Sequence, residues 1–74
     1  MDKLTLQTKL GGAVRARREA LEFSQESFAD SIGMHRAYYS AIERGERNVT
    51  LSTMARLAAG LKVPMAVLVA NASL

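Results

Sequence analysis

The stretch SQESFADSIGMHRAYYSAIERG, residues 24–45, holds two short amphipathic segments, each followed by a glycine. Ser24 is a good N-cap for the first segment because its hydroxyl accepts a free backbone N–H. Glycine ends a helix at low cost, since it adopts the left-handed backbone readily, and Gly33 does so for the first segment. This pattern predicts helix 2 over residues 25–32 and helix 3 over residues 36–44. So short a connection favours a sharp crossing of the helix-turn-helix kind.

Apolar residues before this stretch also recur at helical spacing, and strand signals are weak along the chain. Helix 1 is expected to open at Thr5 or Thr8, because either hydroxyl can cap a first turn. It is expected to end near Leu21 or Glu22.

Two further helices are predicted after the central stretch. Thr50 is placed to cap helix 4, whose apolar positions follow a 3.6-residue period. Pro64 suits the first turn of helix 5, over residues 64–71, where its missing N–H is not needed. Five short helices joined by short turns predict an all-α fold, with residues 1–74 forming one domain.

Composition limits the classes of protein that the chain can represent. Its 74 residues fit one domain with a small core, and the lack of cysteine excludes disulfides and thiolate metal sites. The longest apolar run, residues 63–70, is far shorter than the ~20 residues that span a bilayer, so no membrane segment is expected. The lack of cysteine fits a cytoplasmic protein, and the charged Asp2 and Lys3 make a secretory signal unlikely.

Few residues in this chain are suited to catalysis. One histidine, two aspartates and no cysteine leave almost nothing for a catalytic triad or a zinc site. Gly11 and Gly12 lie inside an amphipathic helix without a following Gly-Lys-Ser, so they are expected to allow a close approach or a loose first turn rather than to bind phosphate. We therefore expect no enzyme activity, cofactor, metal or small-molecule ligand. A formal charge of +3 is compatible with polyanion binding and is weak support on its own.

The two faces of helix 3 have different chemistry. Tyr39 and Ile42 are three residues apart and are expected to pack against Phe28, Ala29 and Ile32 of helix 2 as core. The opposite side has small residues between two arginines. A major groove admits one helix, and arginine matches the acceptors of guanine. Ordinary solvated charges and alanines that favour helix formation are the alternative. The residues of this side are Arg36, Ala37, Ser40, Ala41 and Arg44.

Residues around helix 3 extend this pattern. Gln25 lies at the first turn of helix 2, where backbone N–H groups favour a phosphate. Arg47 and Asn48 follow helix 3 in a loop that can reach a neighbouring strand backbone. Tyr38 either directs its hydroxyl to a phosphate or base, or is a half-buried aromatic.

Helix 5 is apolar on nearly every side. Met65, Val67, Leu68 and Val69 are expected to form a dimer interface, since a self-complementary patch would be covered by a two-fold partner. The alternative is a helix buried more completely within the monomer.

The string FSQESFADSIGMHRAYYSAIERGERNVTL, residues 23–51, resembles the XRE family of Cro-type helix-turn-helix proteins and phage repressors. The pattern that carries the resemblance is Ser24-Gln25-Glu26, Phe28-Ala29, Gly33, Tyr39-Ser40, Ile42-Glu43 and Gly45. Within that family, HRAYYSAIERGERNVTL, residues 35–51, is most similar to the controller proteins of restriction-modification systems.

The resemblance implies a compact lambda-repressor-like bundle of five helices that binds double-stranded DNA as a homodimer on a palindromic operator. It also implies that Arg18 and Glu43 form a structural salt bridge between helices 1 and 3. The positions expected to contact bases are Arg36, Ala37, Ser40 and Ala41, and those expected to contact the DNA backbone are Gln25, Tyr38, Arg44, Arg47 and Asn48.

At two positions the chain differs from the family's pattern. Glu22 stands where the family usually has glycine, so either Glu22 takes a left-handed backbone or helix 1 ends differently. His35 stands where controller proteins commonly have a capping aspartate, and it either caps helix 3 or points at DNA. A second class of function stays open, in which helix 5 recruits another protein, as in an antitoxin.

Overall fold

The computed structural model describes residues 2–73, which form five α-helices and no strand. The all-α prediction is therefore confirmed for this part of the chain. The helices are α1 (Lys3–Ala20), α2 (Gln25–Ser31), α3 (Arg36–Glu43), α4 (Leu51–Gly60) and α5 (Met65–Asn71).

The predicted caps of the central helices are confirmed. The Ser24 hydroxyl accepts the Ser27 N–H at 3.0 Å, and the Thr50 hydroxyl accepts the Thr53 N–H at 3.1 Å. Gly33 has a φ of 65°, as a left-handed helix stop requires. Both α2 and α3 end one residue earlier than predicted, so residues 32–35 separate them.

The predicted start of α1 is wrong. Neither Thr5 nor Thr8 is the N-cap; Asp2 is, and its carboxylate accepts the Thr5 N–H at 2.8 Å. A carboxylate suits this place because it accepts a free N–H and also faces the positive end of the helix. Pro64 likewise lies one residue outside α5, as its N-cap.

The end of α1 settles the question raised by Glu22. Its φ is 64°, so this residue takes the left-handed backbone that the family gives to glycine. The Phe23 N–H then reaches back to the Arg18 carbonyl at 3.2 Å and satisfies a carbonyl that the helix leaves free. A left-handed backbone costs a non-glycine residue roughly 1–2 kcal/mol, so the turn is strained.

The core lies where α2 and α3 pack together, as the apolar spacing predicts. The rings of Phe28 and Tyr39 are 5.1 Å apart between centroids, and both side chains are fully buried. Leucines from the other helices complete it, whereas Leu6 of α1 stays exposed. The largest buried side chains are Tyr39, Phe28, Ile42, Leu57, Leu61, Leu68 and Val14.

One glycine sets the distance between α1 and α3. A Cβ at Gly11 would lie 2.6 Å from the Glu43 carbonyl oxygen and would also collide with that of Ile42. At Gly12 a Cβ would meet nothing within 4 Å. The expected close approach therefore occurs at Gly11 alone, and it brings α1 against the backbone of α3.

Helix α5 divides its apolar residues between the core and the surface. Leu68, expected at a dimer interface, is fully buried within the chain, because it faces the core formed with the other helices. Val67 is 40% exposed, while Met65 and Val69 are half-buried. Within residues 2–73, no single helix is long and apolar enough to cross a membrane; α4 and α5 reach that size only together, across a 93° bend.

Candidate nucleic-acid interface

The exposed part of α3 is its N-terminal turn. Arg36 and Ala37 are exposed there, whereas every residue from Tyr39 to Glu43 is buried. Ser40 and Ala41 retain only 9% and 6% of their surface. The structure thus leaves these two less exposed than the helical pattern predicts, and the accessible cations of α3 lie at its two ends.

A buried carboxylate holds α3 against α1. The Arg18 guanidinium donates to Glu43 through Nε at 2.6 Å and Nη2 at 3.1 Å. The Tyr39 hydroxyl donates to the same carboxylate from within α3. Arg18 also donates to the Phe23 carbonyl at 2.7 Å, which ties the network to the strained end of α1.

The Glu43 carboxylate stays charged because its donors outweigh its burial. Burial alone would raise the pKa of Glu43, but hydrogen bonds from Arg18, Tyr39 and Gln25 more than offset this, and the pKa is lowered. Burial and the neighbouring carboxylate raise the pKa of Tyr39, so its hydroxyl remains a donor. Breaking any one of these hydrogen bonds would leave a buried polar group unpaired, so the network holds α3 rigidly against α1 and α2.

Gln25, expected to contact phosphate, also belongs to this network. Its amide nitrogen donates to Glu43 at 2.9 Å, and its amide oxygen accepts the Ser40 hydroxyl at 2.9 Å. An amide nitrogen carries two hydrogens, so one remains for an external acceptor. The sequence pattern does not predict these internal bonds, because both partners of Gln25 lie on α3.

His35 acts as the N-cap of α3. Its Nδ1 accepts the Ala37 N–H at 3.3 Å, which is the capping role expected where controller proteins have aspartate. Its ring is exposed beside Arg36.

The predicted base-contacting end of α3 opens onto one surface concavity of about 480 Å³. Arg44, at the far end, pairs with Glu46 at 3.1 Å, and both side chains are more than half exposed. An exposed pair of this kind is worth little, so Arg44 can exchange Glu46 for another anion. The lining residues are Gln25, His35, Arg36, Ala37, Ser40 and Arg44.

The other predicted backbone contacts meet α1 at a second concavity of about 670 Å³, lined in part by Tyr38, Arg47 and Asn48. The Arg47 guanidinium lies 5.6 Å from the centroid of the Tyr38 ring, a cation–π distance. Tyr38 is half-buried, so its ring packs while an edge stays accessible. Lys3 and Gln7 of α1 also line this concavity, although no sequence pattern points to them.

No group of three or more metal-ligating side chains occurs within residues 2–73. Cationic, amide and hydroxyl side chains, which are donors suited to phosphate and base edges, occur in the lining of both concavities; Glu46 is the acidic residue of the second.

Comparison with known proteins places this architecture in a family. The helix-turn-helix family HTH_3 matches residues 14–68. Control protein C.MunI of Mycoplasma sp. is 45% identical over 51 residues, which are 69% of each chain. Control protein C.SmaI of Serratia marcescens is 50% identical over 48 residues, 65% of this chain and 57% of that protein.

A solved structure agrees with this relationship. The restriction-modification controller protein C.AhdI of Aeromonas hydrophila superposes with a TM-score of 0.80 and 37% identity. The superposition covers 84% of this chain and 94% of C.AhdI. The resemblance to controller proteins is therefore confirmed, and the relatives are regulators rather than enzymes. The chain belongs to the helix-turn-helix family of DNA-binding transcription regulators.

Proposed function

We propose that this protein is a sequence-specific transcriptional regulator that reads duplex DNA with the N-terminal turn of α3. The observation that carries the proposal is the exposure of Arg36 and Ala37 on a helix whose other half is fixed by the buried Arg18–Glu43 network. A rigid support matters because a base contact requires the reading side chain to be held in place. Arg36 is suited to the paired acceptors of guanine, and Ala37 to a thymine methyl.

Ser40 and Ala41, one turn after Arg36 and Ala37 on α3, are proposed as further base contacts. Their small side chains would let DNA edges come close to α3, and Ser40 lines the same concavity. Gln25 and Arg44 are proposed to contact the DNA backbone at the two ends of this surface. Tyr38, Arg47 and Asn48 are proposed to contact it from the second concavity.

We further propose that the protein acts as a homodimer on a palindromic operator. Val67 is 40% exposed on α5, and the half-buried Met65 and Val69 lie on the same helix. A two-fold partner over the exposed part of α5 would have to hold two copies of α3 about 34 Å apart, one turn of DNA, for both to read one operator. Val67→Glu should shift sedimentation towards monomer at unchanged helicity, and a monomeric wild type would contradict the proposal.

The similarity to C.MunI, C.SmaI and C.AhdI supports a role as controller of a restriction-modification system in the cytoplasm. Such a regulator would bind near the promoter of its own operon. Selection of bound fragments from the native genome tests this directly, since it gives the sequence, its symmetry and its position. The expected result is a short palindrome beside restriction and modification genes. A monomer that enriches no fragment would favour the protein-interaction class instead.

A further inference from the structure

Lys3, at the start of α1, lies in the concavity that holds three of the proposed backbone contacts. Together with Tyr38, Arg47 and Asn48 it lines the space of about 670 Å³ between α1 and the loop after α3. The first turn of α1 is therefore part of the same surface as that loop. We propose that Lys3 is a further DNA-backbone contact, binding a phosphate beside the one that Arg47 meets; this rests on the proposed DNA-binding function.

The second turn of α1 is attached to the loop after α3 through Gln7. The Gln7 amide nitrogen donates to the Asn48 side-chain oxygen at 2.5 Å, so this turn is bonded to the loop after α3. Lys3 and Gln7 are four residues apart on one helix, so they share a face. Gln7 thus holds that face of α1 against the loop. Lys3 lies on the same face, one turn closer to the N-terminus.

The charges around the concavity favour an anion. Arg47 is held against the Tyr38 ring, and within residues 2–73 neither Lys3 nor Arg47 forms an ion pair. Glu46, the acidic residue of the lining, is paired with Arg44. Pairing with Arg44, and more weakly the nearby charge of Arg47, lower the pKa of Glu46. Two cations and one carboxylate therefore line the concavity, and its net charge is positive.

Asp2 is the neighbouring negative charge that could oppose this role. Its carboxylate accepts the Thr5 N–H at 2.8 Å as the helix cap, which turns it towards the first turn of α1. Asparagine caps a helix about as well as aspartate, so Asp2→Asn removes the charge and keeps the cap.

The test measures the affinity for the selected operator against salt concentration, for the whole chain. Each phosphate neutralised contributes about 0.9 to the slope of log affinity against log salt. Lys3→Ala should lower the magnitude of this slope by about one, and Lys3→Arg should restore it. Lys9→Ala is the matched control, because Lys9 lies on the same helix but lines a different concavity, against the end of α5. Its slope should stay at the wild-type value.

A second variant gives a change of the opposite sign. Asp2→Asn should tighten binding to operator and to random DNA by a similar factor, as expected of a change beside a phosphate. An unchanged slope in Lys3→Ala, or an equal loss in Lys9→Ala, would overturn the assignment. If the assignment alone is wrong, Arg36→Ala still loses operator affinity; if the proposed function is wrong, the wild type selects no operator at all.

Discussion

Arg18 of α1 and Glu43 of α3 are joined by two hydrogen bonds, of 2.6 and 3.1 Å, inside a chain of only 74 residues. Their side chains are 9% and 2% exposed, so the pair is shielded from water on both sides. The Glu43 carboxylate also accepts from Tyr39 and Gln25. One buried acidic group therefore connects three helices, and it fixes the helix that we propose reads DNA.

Removing one partner of this pair should destabilise the fold strongly. Arg18→Met should lower the free energy of unfolding by about 3 kcal/mol, because it leaves a buried charge unpaired. Arg15→Met is the matched control, since Arg15 forms an exposed pair with Glu19 on the same helix and its loss should cost less than about 1 kcal/mol. Urea denaturation measures the change in the free energy of unfolding for both variants.

The double variant Arg18→Met with Glu43→Gln separates the charge from the packing. With no buried charge left, its destabilisation should be smaller than the sum for the two single variants. Additive losses would mean that the two residues act independently, which would contradict a shared buried network around Glu43.

Acid should weaken the fold through Glu43. Its pKa is lowered below the ordinary 4.5 in the folded state, so its contribution to stability is complete above that value and is lost as pH falls through the folded pKa. Denaturation at about pH 7 and about pH 3 should show this loss, and Glu43→Gln should show a smaller one. Some acid dependence will remain, since backbone hydrogen bonding lowers the pKa of Asp2 and pairing with Arg44 lowers that of Glu46. An unchanged acid dependence in Glu43→Gln would contradict this account.

The close approach of α1 and α3 can be tested with two neighbouring glycines. Gly11→Ala should destabilise the protein by about 1–3 kcal/mol, because the new Cβ would press on the backbone of α3. Gly12→Ala meets open space and should stabilise the helix by roughly 0.5–1 kcal/mol. Thermal and urea unfolding measure the sign of the change in stability for each variant. The same sign for both variants would show that helix propensity, and not the crossing, decides the effect.

Relief of the strained turn after α1 should be measurable. Glu22→Gly should raise the free energy of unfolding, by up to about 1 kcal/mol, because glycine accepts a φ of 64° without the penalty of a side chain. Glu22→Ala removes the same charge but keeps the Cβ. It should leave stability nearly unchanged, and a gain as large as that of Glu22→Gly would assign the effect to the charge instead.

Features fixed by neighbouring residues could be predicted from the sequence. Ser24 and Thr50 cap their helices through hydrogen bonds within three residues, and Gly33 stops α2 through its own backbone. Local chemistry decides such features whatever the rest of the chain does. Asp2 also caps its helix through a local hydrogen bond. The predicted start of α1 was wrong because Thr5 and Thr8 are equally plausible caps in the sequence.

Features fixed by distant partners could not be predicted in this way. Gln25 lies at a helix start, and the sequence carries no pattern to show that its amide is also bonded to Glu43 and Ser40 on α3. Leu68 lies on a helix that is apolar almost all round, so the sequence carries no pattern to show which side faces the core. The burial of Ala41 likewise depends on how α3 lies on its neighbours.

The central claim is that α3 reads base sequence through Arg36, and affinity measurements on two kinds of DNA test it most directly. Arg36→Ala should weaken binding to the selected operator by about 1–3 kcal/mol and weaken binding to random duplex DNA much less. Arg15→Ala, which removes the same charge from an exposed site on α1, should change the ratio of the two affinities little. An equal loss on both DNAs in Arg36→Ala would make Arg36 a phosphate contact, and would contradict the reading of bases by this helix.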